Sequence, residues 1–419
     1  MIKSVEITNF RSIEHDLIHL DRPITIIVGP NGVGKTNLLL ALRFLKNSIA
    51  FGPTRAIQIA GGLDQVFRMK ARRTRECTIK VTVKIPEKES VLSSFQVFNI
   101  GKLLEDLKGN VFSYEISLSY SSDEKKLVIK NEAIKEVINK NEFVLMDRKS
   151  IEKDGSVQEI LNARLLISDW FPPIANPNKD DKSSRIAAVK YFLSTEIGSW
   201  DDYNLNPFSL RKSSDLLAIE DLKYDGSGLS SYLYRMNKSK SDSAYKIGRR
   251  ANPEAWKELK NRYSLVLSFI EKIAFDEDIS STNVHLKIKE LNSKTLHNAG
   301  QVSDGTLKFI ALAARILAAD YSLLGLEEVE NCLHPKAIKE LMSLIEDVSD
   351  EFETQFVITS HSETVLNVSS IDSILIAHRD SSGATSYKKP INQQTLEIEL
   401  SDGGFGLGTY WGTHDGLDV

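Results

Sequence analysis

The run Gly29-Pro30-Asn31-Gly32-Val33-Gly34-Lys35-Thr36 satisfies G-x-x-x-x-G-K-[ST] at every fixed position, and the apolar stretch Ile24-Thr25-Ile26-Ile27-Val28 leads straight into it. A strand, a glycine-rich loop and then a helix beginning at Asn37-Leu38-Leu39-Leu40 make an α/β fold the natural expectation. Gly29, Gly32 and Gly34 let the backbone curl so that its N–H groups converge on phosphate oxygens. Lys35 adds a point charge near the β- and γ-phosphates, Thr36 offers a hydroxyl to Mg²⁺, and the helix N-terminus favours the same anion. The pattern predicts a bound nucleoside triphosphate, cradled by residues 29–36 with Asn37 beside them.

A triphosphate site needs more than its loop, and the remaining candidates lie far downstream. Val302-Ser303-Asp304-Gly305-Thr306 is a small polar segment opening the helical run Leu307 to Leu317, so its free N–H groups form a second anion site. Tyr321-Ser322-Leu323-Leu324-Gly325-Leu326-Glu327-Glu328 reads as a buried strand ending in two carboxylates. Glu327 is placed to hold Mg²⁺ through water and Glu328 to polarise an attacking water. Thr354 to Ser360 reads as another buried strand delivering His361 to the same sheet edge, where ligands of open α/β sheets bind. Taken singly, each signal has a plainer reading: a solvated acidic loop, a strand-end histidine, a helix cap. Their order is what carries weight.

That order resembles the RecF-like and OLD-like AAA-type ATPases of the ABC superclass, which are kin to SMC heads. Ile2 to Ser12 resembles the family's opening strand and its Asn9-Phe10-Arg11 turn, which places Arg11 against the nucleotide. Lys35-Thr36-Asn37-Leu38 has the family's Asn-Leu continuation. Glu327-Glu328-Val329-Glu330-Asn331-Cys332-Leu333-His334-Pro335 resembles the usual Glu-Glu-Pro-Glu-x-x-x-His-Pro run, with Val329 in place of proline. The change removes a fixed φ after the catalytic acid and leaves both carboxylates. The resemblance implies ATP and Mg²⁺ as cofactors, with Glu328, Lys35 and His361 catalytic and His361 sensing the γ-phosphate. It implies that Ser303, Gly305 and Thr306 form a signature loop acting on the nucleotide of a second copy, so the chain is expected to form at least a head-to-head dimer. It also calls for a Q-loop glutamine touching nucleotide and metal. Gln65 is the candidate, and on its residues alone it reads equally well as a solvated loop side chain.

Composition sets limits on partners. A net charge of −4 over 419 residues excludes a strongly basic nucleic-acid trap. Two basic clusters stand out, Arg68, Lys70, Arg72, Arg73 and Arg75, then Lys238, Lys240, Lys246, Arg249 and Arg250. They read as solvated charge or as DNA or RNA contacts. Cys77 and Cys332 lie far apart with no metal-ligand spacing, so neither a disulfide framework nor a zinc site is expected. No stretch approaches the roughly 18 apolar residues of a membrane helix, and the start lacks a signal peptide. A cytoplasmic protein is the expectation.

The expected architecture is an ABC-type P-loop ATPase with a mixed central sheet, an antiparallel β lobe and an inserted helical lid. Residues 1–90 and 296–419 would form the two parts of the core, with 91–295 inserted. In the insertion, Phe112 to Tyr120 and Phe143 to Met146 read as strands, Ser184 to Leu193 and Pro253 to Ile273 as helices. Asp225-Gly226-Ser227-Gly228-Leu229 resembles a recurrent element preceding the lid of these ATPases. Ser373 to His378 reads as a strand with a hairpin partner at Tyr387-Lys388-Lys389, and the glycine-rich Gly403 to Gly412 as a docking segment or a flexible tail. No room is seen past Val419 for the Toprim domain of OLD-type nucleases, so no intrinsic nuclease is expected. Three uses of ATP remain: gating a separate effector, nuclease or toxin, as in bacterial anti-phage systems; an ATP-gated DNA-repair clamp; or a non-catalytic scaffold. Both acids speak against the third, and the modest charge and missing coiled-coil arms against the second.

Overall fold

The computed structural model describes residues 1–68, 74–87, 100–147, 165, 167, 182–217, 221–238, 252, 254–278, 280–390 and 406–413. The chain divides into two compact units. The first comprises Met1–Pro23, Gly29–Trp200 and Leu375–Lys389, the second Ile24–Val28, Asp201–Ile374 and Pro390–Val419. Most of each basic cluster, and Gly403 to Phe405, fall outside the described residues.

Sixteen strands can be named among the described residues: β1 (Ile2–Phe10), β2 (Ile13–His19), β3 (Ile24–Val28), β4 (Thr74–Lys84), β5 (Val111–Ser121), β6 (Lys126–Ile138), β7 (Asn141–Asp147), β8 (Trp200–Tyr203), β9 (Ser214–Asp215), β10 (Ile270–Asp278), β11 (Asn283–Glu290), β12 (Leu296–Asn298), β13 (Leu323–Glu327), β14 (Gln355–Thr359), β15 (Ile374–Arg379) and β16 (Thr385–Lys388).

In the first unit an antiparallel sheet runs in the order β2-β1-β4-β5-β6-β7. Its two faces follow the period of two in the sequence. Cys77, Ile79, Val81 and Val83 of β4 are buried, as are Tyr114, Ile116 and Leu118 of β5. Burial pushes the Cys77 thiol up to about 12, which marks it as an inert core side chain. The alternate positions carry cross-strand charge pairs, among them Lys80 with Glu6 at 3.7 Å and Lys135 with Glu142 at 2.9 Å. The strands expected in the insertion thus share one sheet with the N-terminal strands. The helix Asn37–Phe51 packs Leu38, Leu42 and Leu45 inward and sets Phe44 against Phe10, ring centroids 5.9 Å apart. The expected helix over Ser184 to Leu193 is longer, Lys182–Gly198. The hairpin of β15 and β16 forms with Ala377 opposite Tyr387.

In the second unit β3, β14 and β13 pair in parallel, with Glu327 opposite Thr359 and Thr359 opposite Ile27. Every residue of β13 and β14 is buried, as their unbroken apolar runs require of a parallel sheet. Their register brings the ends of all three strands to one edge. The helix Asp304–Ala318 is buried from Thr306 to Leu317 and is therefore a core helix rather than an amphipathic surface one. A smaller antiparallel sheet, β10-β11-β12 with β9 on β11, lies in the same unit.

One expected element differs. The helix predicted over Pro253 to Ile273 spans Ala255–Val266 and ends at Leu267, φ −111° and ψ 57°. Ile270 and Ile273 instead enter β10, paired with Glu290 and Ile288 of β11. Isoleucines at a spacing of three fit a helix face, but β-branched side chains also suit a strand, and the ladder to β11 decides between them. Pro253 lies outside the described residues.

Candidate functional site: a phosphate loop and a paired-acid strand end

The phosphate loop of the first unit has the backbone its glycines predict. Gly29, Gly32 and Gly34 hold φ of 149°, 77° and 103°, in the region that L side chains rarely adopt. A Cβ on Gly29 would lie 2.7 Å from the Ala377 carbonyl oxygen, and one on Gly34 would lie 2.6 Å from Thr385 Oγ1. Gly32, at the crest, has nothing within 4 Å of a Cβ. The Lys35 ammonium donates to the Gly29 carbonyl at 2.8 Å and the Pro30 carbonyl at 3.1 Å, and stands 3.5 Å from Asn31 Oδ1. Its charge therefore sits inside the curl where phosphate oxygens would be received. Val33 is 7% exposed and anchors the loop. Thr36 stands at the N-cap position of the helix Asn37–Phe51 with no side-chain cap hydrogen bond, so its backbone leads directly into that helix's free N–H groups.

The side chains that brace this loop carry no motif of their own. Tyr387 Oη donates to the Gly34 carbonyl at 2.7 Å and accepts from Leu38 N at 3.2 Å. Burial pushes its phenol above the usual range, so it stays a neutral donor. Thr385 Oγ1 donates to the Val33 carbonyl at 2.7 Å, and Arg379 Nη1 stands 3.4 Å from the Gly32 carbonyl. Asn37 turns to the same support, its Nδ2 donating to Ser12 Oγ at 2.6 Å, with that hydroxyl 2.7 Å from Thr385 Oγ1. Arg11 and Gln65 come together, Arg11 Nη2 donating to Gln65 Oε1 at 2.7 Å. Asn9 and Arg11 flank Phe10 at φ 55° and 50°. The resulting kink is tied to the Gln65 segment through Arg11 N to the Val66 carbonyl and Arg68 N to the Asn9 carbonyl, both 2.9 Å.

The second unit carries the acids. Glu327 ends β13 at 6% exposure; Tyr224 Oη donates to its Oε1 at 2.9 Å and Asn204 Nδ2 to its Oε2 at 3.4 Å. Neither partner was predicted, although Tyr224 directly precedes the Asp-Gly-Ser-x-Leu element. Within that element Asp225 accepts from Ser227 N, Ser227 Oγ and Ser209 Oγ at 3.0, 2.9 and 2.6 Å, closing the turn before the helix Leu229–Lys238. Glu328 takes φ 45°. Proline restricts the residue before it, so Val329 leaves Glu328 more freedom to turn this way. Its N–H donates to the Thr359 carbonyl at 3.0 Å, its carbonyl accepts Lys308 Nζ at 2.8 Å, and its Oε2 accepts Asn331 Nδ2 at 2.6 Å. Lys308 is buried, and burial holds its ammonium below the usual lysine range against the opposing pull of Cys332, Glu330 and Glu328.

The predicted signature loop faces outward from the same unit. Ser303 is exposed and caps the helix Asp304–Ala318, accepting from Thr306 N at 3.2 Å and lying 2.7 Å from Thr306 Oγ1. Thr306 is 3% exposed; it braces Ser303, the exposed hydroxyl of the pair. A Cβ on Gly305 would lie 2.4 Å from the Cys332 carbonyl oxygen, so glycine there lets the acid-bearing loop approach the helix. Arg211 holds the loop, ion-paired to Asp304 and donating to the Val302 carbonyl at 2.8 Å. His361 follows β14, its ring 49% exposed and its Nδ1 3.1 Å from Glu330 Oε1.

The residues of each unit fit the groups the sequence calls for. The loop has its curl and its interior ammonium, and the strand end has a buried carboxylate already holding two donors. Among the described residues no three His, Cys, Asp or Glu side chains gather as a metal cage. Mg²⁺ bound with a nucleotide needs none, because phosphates and waters complete its shell around one or two carboxylates.

Known proteins fit this arrangement. An SMC head solved with the C-winged helix domain of ScpA superposes with a TM-score of 0.50 at 14% identity, covering 92% of this chain and 97% of that one. At that identity the likeness speaks for the fold alone: an SMC-head-like α/β fold consistent with a P-loop ATPase of the AAA/ABC kind. The chain belongs to the AAA_21 family, described as "AAA domain, putative AbiEii toxin, Type IV TA system", whose model matches residues 24–367. A protein of Helicobacter pylori named ATP/GTP phosphatase is 22% identical over 373 residues, 88% of this chain and 87% of that protein. The DNA replication and repair protein RecF of Acholeplasma laidlawii is 46% identical over 44 residues, 10% of this chain and 13% of its own length. Among the described residues no helix is long and apolar enough to cross a membrane.

Proposed function

We propose that the chain is an Mg²⁺-dependent ATPase that works as a pair of heads, each completing the other's nucleotide site, and that joining and parting of the heads gates a separate effector protein. The observation that carries this reading is the build of the second unit. The exposed Ser303 at the mouth of a helix and the acid Glu328 are tied to one another through Lys308 and the Gly305–Cys332 approach. Lys35 and the loop N–H groups would hold the β- and γ-phosphates, while Thr36 and Glu327 would hold the metal, with Gln65 as a further contact. Arg11, paired with Gln65, would reach the nucleotide from the edge of β1. Phosphoryl transfer draws on positioning and charge neutralisation, which this set supplies. Glu328 would take up a proton from the attacking water, and His361 would face the γ-phosphate. The name of the Helicobacter pylori relative supports nucleotide hydrolysis.

The effector, a nuclease or toxin of an anti-phage system, follows from the resemblance to OLD-like ATPases; an ATP-gated DNA clamp is the second reading, favoured by the local match to RecF. Phosphate release and particle mass, measured together with and without DNA, separate them. DNA-indifferent turnover fits effector gating, and DNA-stimulated turnover with ATP-dependent pairing fits the clamp.

Ser303→Arg tests the pairing. Ser303 is exposed, so the larger side chain is accommodated in the single chain but intrudes where a second copy would approach. The variant is expected to bind ATP like the parent, to stay monomeric in ATP by light scattering, and to lose turnover by about 100-fold. Normal turnover would remove Ser303 from the site.

A further inference from the structure

Beyond Glu327 and Glu328 the same loop carries a third acid, Glu330, that the scheme above does not use. It is 9% exposed. Its Oε1 accepts the backbone N–H of His361 at 2.8 Å and faces His361 Nδ1 at 3.1 Å. Its Oε2 is buried with no hydrogen-bond partner. Native proteins rarely leave a buried carboxylate oxygen unpaired, because desolvation without a partner is costly. What the arrangement achieves is control of a half-exposed ring. Oε1 can only accept, so a hydrogen bond between the two requires the proton on Nδ1. In the neutral ring Nε2 is then the acceptor, and in the charged ring it is a donor.

We propose that Glu330 is the positioning residue of His361: it orients the imidazole through Nδ1 so that Nε2, a donor once the ring carries both protons, is the atom offered to the γ-phosphate. This rests on the assignment of His361 above. A carboxylate behind an imidazole serves the same purpose in metal sites and hydrolytic triads, where it acts through the ring and never touches substrate. Val329, 1% exposed, buries its side chain between the two acids in sequence. Glu328 and Glu330 can therefore differ in role, the first half-exposed beside the reaction and the second buried behind the histidine.

The test is a cycle of four proteins, the parent, Glu330→Gln, His361→Ala and the double variant, read by steady-state phosphate release and by binding of a non-hydrolysable ATP analogue. Glu330→Gln is expected to lower kcat about 10-fold with analogue affinity unchanged, and to cause no further loss in the His361→Ala background. Equal losses in both backgrounds would overturn the positioning role and leave the His361 assignment standing. A parental rate for His361→Ala would overturn the assignment and, with it, the proposal. Histidine ring ¹⁵N resonances give an independent reading that does not depend on turnover. The parent is expected to carry the His361 proton on Nδ1, and Glu330→Leu, which leaves no acceptor facing Nδ1, to lose that preference. An unchanged tautomer would overturn the proposal, and Glu330→Asp, which restores the carboxylate, is expected to restore the parental signature.

Discussion

Replacing Glu328 by Gln is expected to slow ATP turnover by about 100-fold or more while leaving nucleotide binding intact, so that the variant accumulates in ATP as joined pairs. The substitution keeps the size of the side chain and removes the charge proposed to accept a proton. Its local support survives, because the main-chain bonds of residue 328 to Thr359 and Lys308 do not involve the carboxylate. The amide oxygen can still accept Asn331 Nδ2, now held 2.6 Å from Glu328 Oε2. Neutralising one carboxylate beside a triphosphate also relieves repulsion with the γ-phosphate, which favours the joined state further. Light scattering in ATP, with phosphate release on the same sample, gives both numbers. A Glu328→Gln protein that turned over at the parental rate would place the base elsewhere.

Arg315→Ala has the largest expected effect on stability, a loss of about 3–5 kcal/mol. Arg315 lies on the helix Asp304–Ala318, its side chain 4% exposed, and pairs with Asp320 and, at 3.4 Å, with Asp201. Its Nε donates to Tyr203 Oη at 2.7 Å, and its guanidinium lies 4.7 Å from the Tyr321 ring centroid. Burial works against its charge, but Asp320 above all, with Tyr203, Tyr232 and Asp201, holds it well above the usual range. Asp221 nearby is pushed up by burial, with Arg315 opposing. Removing the cation leaves the buried Tyr203 hydroxyl and the half-buried Asp320 and Asp201 carboxylates without their partner, which costs far more than the pair was worth. Urea unfolding reads the loss directly. Asp320→Asn in the same chain is expected to cost less on top of Arg315→Ala than alone, because the two groups share one interaction. Equal costs would show that the pair is uncoupled.

The parts of this site whose chemistry is local were legible in the sequence. Glycines at 29, 32 and 34 specify the loop because only a residue without Cβ takes those φ values and tolerates the Ala377 and Thr385 contacts. The unbroken apolar runs of β13 and β14 read as buried strands of the central sheet, and the positions of the acids and His361 followed from where those strands end. What could not be read was the support, which comes from residues distant in sequence. Tyr387 and Thr385 brace the phosphate loop, Asn204 and Tyr224 hold Glu327, and Arg211 clamps the signature segment. Each is an ordinary polar side chain whose role depends on tertiary contacts. The Arg11–Gln65 bond joins two candidates that the sequence offered separately. Ile270 and Ile273 misled because a spacing of three suits a helix face, whereas β11 was there to pair with them.

The most direct test of the central claim, that each head completes the other's site, is complementation between two dead variants. Lys35→Ala removes the ammonium proposed to bind phosphate, and Ser303→Arg blocks the loop proposed to meet the partner. Mixed, they can form pairs in which the intact phosphate loop of one chain meets the intact signature loop of the other. Neither variant alone is expected to release phosphate, while an equal mixture is expected to regain turnover up to about half of the parental rate, one working site of two in each mixed pair. A mixture no more active than the sum of its parts would contradict the account and confine the reaction to a single chain.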